Sequence, residues 1–273
     1  FTHYGTDTTA RARAWLAAGQ AAMAVQVLEA KGSVPRGPGT RMLVAADAVA
    51  GTIGGGHLEL KAIAHARELL AAGQTETQDR HYPLGPALGQ CCGGALRLRT
   101  RPLDAAALAG WPHESPLFTL QLYGAGHVGR AIVRLLEGLN CRVQWIDERE
   151  AEFPAGPSAA HIERLCVEPV QAEVATAPPQ AFYLVLTHSH DLDMAITEAI
   201  LRRADFAYLG LIGSATKRAR FLRRFEDRGM TADVLARITC PIGVPGIAGK
   251  EPEVIAVAAV AQLLQAAGKP AAR

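Results

Sequence analysis

The run Phe118-Thr119-Leu120-Gln121-Leu122-Tyr123-Gly124-Ala125-Gly126-His127-Val128-Gly129 decides the fold of the second half of this chain. Phe118 to Tyr123 reads as a buried strand, the glycines fall in GxGxxG spacing, and a helix opens in the loop and runs to about Leu139. Arg142 to Ile146 reads as the next strand and ends on Asp147, 23 residues after Gly124. A lone GxGxxG carries little weight. Here the strand before it, the helix within it and the acid after it complete the dinucleotide-type context. Gly124 permits the tight turn, Gly126 lets a phosphate reach the helix N-terminus, and Gly129 lets helix and strand pack closely. Asp147 stands where a carboxylate accepts from a ribose diol, which admits NAD or another nucleotide as ligand. A Rossmann fold that binds no nucleotide is the competing reading.

Downstream, Phe182 to Thr187 and Phe206 to Ile212 read as further buried strands, each followed by helical sequence. Strand and helix alternate, so the expected fold class is α/β, a doubly wound parallel sheet. Ligands of such sheets sit beyond the C-terminal ends of the strands. Two more strand ends therefore enter the candidate site: Thr187-His188-Ser189-His190-Asp191 and Gly213-Ser214-Ala215-Thr216-Lys217-Arg218. Gly213 and Ser214 open a helix whose amides suit an anion, with Lys217 one turn on. An ordinary Ser214 cap with solvated basic residues explains the same letters. His188 and His190 resemble part of an HxHxDH metal motif, but Leu192 and Asp193 break the match and leave polar crevice residues.

The first half lacks this rhythm. Helix Asp7–Ala18, strands Met23–Ala30 and Arg41–Ala46, helix His57–Ala72 and strands over 76–83 and 95–100 give a smaller α+β domain. The expected division is 1–101 for this domain, 102–116 for a Pro-containing linker and 117–273 for the Rossmann domain. In the loop KGSVPRGPGTR, Ser33, Arg36 and Arg41 supply donors suited to an anion. Gly54, Gly55 and Gly56 give a second backbone able to approach a ligand at a helix N-terminus. Two tight turns in a small domain are the plain alternative. His57, Lys61 and His65 share a helical face and read as solvated. Gly89-Gln90-Cys91-Cys92-Gly93-Gly94 places vicinal thiols between glycines, where a thiolate is accessible and soft enough for sulfur or a thiophilic metal, Cys92 being the metal candidate. One cysteine as a small core hydrophobe is the alternative.

Composition narrows the classes. Apolar residues make up 49% and charged residues 20%, a globular mixture. A net charge of +2 and 5% aromatics argue against nucleic acid. No apolar run approaches a membrane span, and residues 1–9 lack signal-peptide regions. Five cysteines, an odd number without framework spacing, point to free thiols and a cytoplasmic setting.

The runs GSVPRGPGTRMLV, GTIGGGHLE, GQCCGG, LYGAGHVGRA, VLTHSHDLD, YLGLIGSATKRARF and CPIGVPGIAGKEPEVIAVAAVAQLL together resemble the XdhC/CoxI family, accessory proteins of xanthine dehydrogenase and related molybdenum hydroxylases. They spread over about Ala21 to Leu264. The resemblance implies a molybdenum cofactor (molybdopterin) carrier that protects the cofactor while an oxo ligand is exchanged for sulfido. It implies as partners an apo xanthine dehydrogenase or related hydroxylase, and a cysteine desulfurase as sulfur donor. Cys91 and Cys92 then stand as the residues doing chemistry. A homodimer is the base-rate expectation. An NAD(P)-dependent oxidoreductase and a non-catalytic nucleotide sensor are the alternatives.

Overall fold

A computed structural model describes residues 8–84, 94–111 and 115–268. The chain divides into two compact units, Phe1–Glu114 and Ser115–Arg273.

In the first unit, helix α1 (Thr8–Ala17) precedes strands β1 (Ala22–Lys31), β2 (Arg41–Ala45) and β3 (Val49–Gly51), helix α2 (Gly56–Ala71), strands β4 (Gln78–Pro83) and β5 (Ala95–Pro102), and helix α3 (Ala105–Ala109). The five strands form one antiparallel sheet in the order β3-β2-β1-β5-β4. Side-chain alternation sends Met23, Val25 and Val27 of β1 to one face, where Leu58, Ala62 and Ala66 of α2 cover them. Ala22 and Ala24 face the other way, onto Ala12 and Trp15 of α1. The stretch expected as a linker from residue 102 is more ordered than that. β5 reaches Pro102, and Asp104 caps α3 by accepting from the N–H of Ala107 at 2.5 Å. The expectation of a solvated His57–Lys61–His65 face also fails in part, because His65 is buried.

The second unit runs β6 (Thr119–Tyr123), α4 (His127–Leu136), β7 (Arg142–Asp147), β8 (Ile162–Cys166), β9 (Phe182–Val185), α5 (His190–Arg203), β10 (Tyr208–Leu211), α6 (Ala215–Asp227), α7 (Ala232–Ala236), β11 (Ile238–Thr239) and α8 (Pro252–Ala267). All six strands are parallel, in the order β11-β10-β9-β6-β7-β8. This is the doubly wound Rossmann order, and it reverses direction between β6 and β9. Period-2 alternation supplies two cores. Leu120, Leu122 and Leu184 pack under α4 and α8 with Ile132, Leu136 and Leu263. Tyr123, Tyr183 and Val185 pack on the opposite face with Ile196 and Ile200 of α5 and Phe221 and Phe225 of α6. Burial on both faces is what parallel strands require. The connection from β8 to β9 crosses as a 3-10 segment, Val170–Thr176, rather than an α-helix. Among the described residues no helix is long and apolar enough to cross a membrane.

Candidate functional site

Where β9 and β10 end, each chain turns directly into a helix, and the two turns face each other. Ser189 caps α5 by accepting from the N–H of Leu192 at 3.4 Å, and Ser214 caps α6 by accepting from that of Lys217 at 3.2 Å. Between them lies a cavity of about 450 Å³ lined by residues that include Thr187, His188, His190, Gly213, Lys217 and Arg220. It sits at the C-terminal ends of the strands, beside the switch point, where α/β sheets bind ligands. The five residues expected at these two strand ends, His188, His190, Gly213, Ser214 and Lys217, thus come together.

Lys217, expected as an anion partner with a solvated base as the alternative, is neither solvated nor free to meet an anion: its charge is engaged inside the fold. The residue is 9% exposed, and its Nζ donates to Asp193 Oδ2 at 2.5 Å and to the Ile212 carbonyl at 2.8 Å. Asp193, 1% exposed, also accepts from the N–H and hydroxyl of Thr187 at 2.9 and 2.7 Å. One buried ion pair therefore ties the end of β9 to the end of β10. The two charges cancel, so Arg220, with no ion-pair partner among the described residues, leaves the cavity formally positive. Sequence reasoning named Asp193 only as the letter that broke a metal motif, and missed Arg220. His188 Nε2 lies 3.6 Å from Glu148 Oε1, bridging the end of β9 to the end of β7.

The glycine loop is shaped by its neighbours. A Cβ on Gly124, whose φ is +123°, would meet the Leu186 carbonyl oxygen at 2.4 Å, and one on Gly129 would meet the Gly124 oxygen at 2.1 Å. Gly126 differs: a Cβ there would meet nothing within 4 Å, because it faces open space. Asp147 stands at the end of β7 as expected, but its lone pairs are engaged. Oδ2 accepts from the Ala125 N–H at 2.7 Å and Arg149 Nη2 at 3.0 Å; Oδ1 accepts from Arg149 N at 3.0 Å and Nε at 2.9 Å. Burial alone would raise this carboxyl. The Arg149 guanidinium and the two backbone N–H groups outweigh it and hold the carboxyl below the usual carboxylate range.

In the first unit the two glycine loops meet. A Cβ on Gly54 would strike Pro35 at 2.5 Å, so the loop carrying Ser33 and Arg36 packs against the Gly54-Gly55-Gly56 turn. Gly94, two positions after Cys92 in the sequence, lies against the same loop: a Cβ there would meet the Lys31 and Ser33 oxygens at 2.5 Å. Ser33 and Arg36 are exposed, whereas the Arg41 guanidinium stacks 5.0 Å over Trp111. Glu59, unnoticed in the sequence, is the organiser of the second turn. Its buried Oε2 accepts from the Thr52 hydroxyl at 2.5 Å and from Ile53 and Gly55 N–H at 3.0 Å each. Cys91 and Cys92 lie outside the described residues, so the cysteine chemistry and the metal role of Cys92 have no geometry here.

Residues 120–263, more than half of the chain, match the XdhC Rossmann domain, and residues 15–82 match the XdhC and CoxI family. The chain belongs to the XdhC family. It is 32% identical over 258 residues to the uncharacterized protein YqeB of Escherichia coli strain K12, an alignment covering 88% of this chain but only 42% of YqeB. The chain thus spans less than half the length of that relative. A crystal structure described as a xanthine dehydrogenase from Bacillus halodurans superposes over 98% of both chains with a TM-score of 0.76 and 19% identity, which establishes the shared fold.

Proposed function

We propose that this chain is an accessory protein of a xanthine dehydrogenase-type molybdenum hydroxylase that binds the molybdenum cofactor as cargo, shields it during sulfuration by a cysteine desulfurase, and passes it to the apo-enzyme. The observation that carries this reading is membership of the XdhC family through both halves of the chain. The cavity at the ends of β9 and β10 supports it as well. The cofactor bears a phosphate, and the cavity offers the Ser214 cap, Thr216, His190 and the positive Arg220. In the first unit, taken by itself, the exposed Ser33 and Arg36 are further donors suited to an anionic group. The cargo supplies the metal–sulfur chemistry; the chain's own residues bind, orient and exclude water.

The test is direct. Gently purified protein, expressed with an active cofactor pathway, should carry molybdenum and pterin in near-equal amounts. Added to apo-hydroxylase with a sulfur donor, it should raise hydroxylase activity over cofactor alone. Absence of both pterin and activation would overturn the proposal, and turnover of NAD(P)H with small substrates would favour the oxidoreductase alternative.

A further inference from the structure

The glycine loop is clamped by a closed ring of side chains. Asp147 holds the Ala125 N–H and receives the fork of Arg149, and the other face of Arg149 reaches Glu152 Oε1 at 3.5 Å. Glu152 Oε2 accepts from Arg130 Nη2, and Arg130 Nε donates back to the Ala125 carbonyl at 2.9 Å. Ala125 is thereby gripped at both its backbone N–H and its carbonyl, in the two peptide groups that flank it.

From this ring we infer that Arg149 is a specificity residue that closes the ribose position of the crevice, so that the site takes a phosphomonoester and rejects NAD-type dinucleotides. The phosphomonoester half rests on the proposed cofactor-binding function. A carboxylate has about four acceptor positions, and four donors fill those of Asp147. The Asp147 side chain is 3% exposed, so a ribose hydroxyl gains a place only by expelling an Arg149 N–H. That step exchanges a charge-assisted bond for a weaker neutral one and breaks the bidentate fork. NADP fares no better. Turning Arg149 outward to meet a 2′-phosphate breaks the same fork and sets the phosphate beside an uncovered Asp147. A phosphomonoester needs no diol acceptor. The space in front of Gly126 is open, and the hydroxyl-lined cavity with Arg220 begins at Thr187 and His188, just past the end of β9, the strand paired with β6.

The experiment titrates NAD+, NADP+ and inorganic phosphate into the wild-type chain, Arg149→Gln and Arg149→Lys. Circular dichroism checks the fold, and the lysine variant keeps the charge while losing the bidentate fork. Wild type should bind inorganic phosphate more tightly than either dinucleotide. At least one folded variant should gain about tenfold or more in NAD+ affinity, roughly 1.4 kcal/mol, with phosphate affinity held within about twofold. Wild-type preference for NAD+ or NADP+, or a smaller gain in both variants, overturns the inference. Absence of phosphate binding in wild type overturns the phosphomonoester half together with the proposed cargo site, while the NAD+ comparison between wild type and variants still decides the role of Arg149.

Discussion

Lys217→Met would strip the counter-charge from Asp193, a carboxylate 1% exposed to solvent, and leave it buried with only the Thr187 donors. Removing one partner of a buried pair costs about 3–5 kcal/mol, so urea denaturation should show a loss of that size. The double variant Lys217→Met/Asp193→Asn should recover part of it, because no lone charge is then left inside. A single loss below about 1 kcal/mol would mean that water reaches the pair. Glycine positions divide in the same manner. Gly129→Ala places a methyl 2.1 Å from the Gly124 oxygen and should destabilise by about 1–3 kcal/mol or more, whereas Gly126→Val should keep the fold and weaken phosphate binding at least about tenfold. Unchanged affinity in folded Gly126→Val would remove the loop from the binding site. Acid should act through Asp147. Its carboxyl sits below the usual range in the folded chain, so the unfolded chain binds more protons. The stabilisation is complete above about pH 4 and is lost as pH falls through the folded value. Asp147→Asn should be less stable at neutral pH and show a shallower loss of stability below about pH 4, measured by denaturation at a series of pH values.

Elements here are held at their ends by carboxylates that reach back over a turn. Glu59 does for α2 what Asp193 does for α5: each sits in the early turns of its helix and accepts from groups just before it. This extends the capping-box device, in which an acid near the start of a helix reaches back to the cap N–H. Glu59→Gln keeps one acceptor oxygen but replaces charge with an amide, so the turn should loosen. Hydrogen exchange at the Ile53 and Gly55 amides should quicken by about tenfold or more, with the amides of β1 unchanged. Equal protection in the variant would show that Pro35 packing alone fixes the turn. These carboxylates also mark where the sequence stopped being legible. β6, β7, β9 and β10 were readable because apolar runs flank a glycine or a cap residue. β8 was not, because it is the edge strand next to β7 and its pattern Ile162-Glu163-Arg164-Leu165-Cys166 is mostly half-exposed or polar. Helix α3 hid in a stretch whose glycine and prolines suggested a linker. The cap roles of Ser189 and Ser214 follow from local sequence, but the roles of Asp193, Glu59 and Arg149 depend on side-chain directions that only the packed sheet defines.

At the scale of the whole chain, XdhC family sequence runs through both units. The second offers hydroxyls and cations for a phosphate. On the proposed function, any thiol chemistry falls to Cys91 and Cys92, because the other three cysteines are poor candidates. Cys141 and Cys240 are buried, and burial pushes the Cys141 thiol up to about 11. Cys166 is exposed, but slight burial and the neighbouring Glu150 and Asp147 push its thiol up too, away from the reactive thiolate. If either vicinal thiol touches the metal centre or relays sulfur, changing both to serine should abolish activation of the apo-hydroxylase while barely moving the melting temperature. Serine preserves size but is a poor ligand for a soft metal and forms no persulfide, so the substitution separates chemistry from packing. Reconstitution reads the result: wild type and the double serine variant, each given cofactor, sulfur donor and apo-enzyme, with hydroxylase activity followed over time. Pterin content measured on the same samples separates lost cargo binding from lost sulfur transfer. A variant that holds pterin and still activates its client at the wild-type rate would assign the cysteine pair to structure and leave sulfuration wholly to the desulfurase.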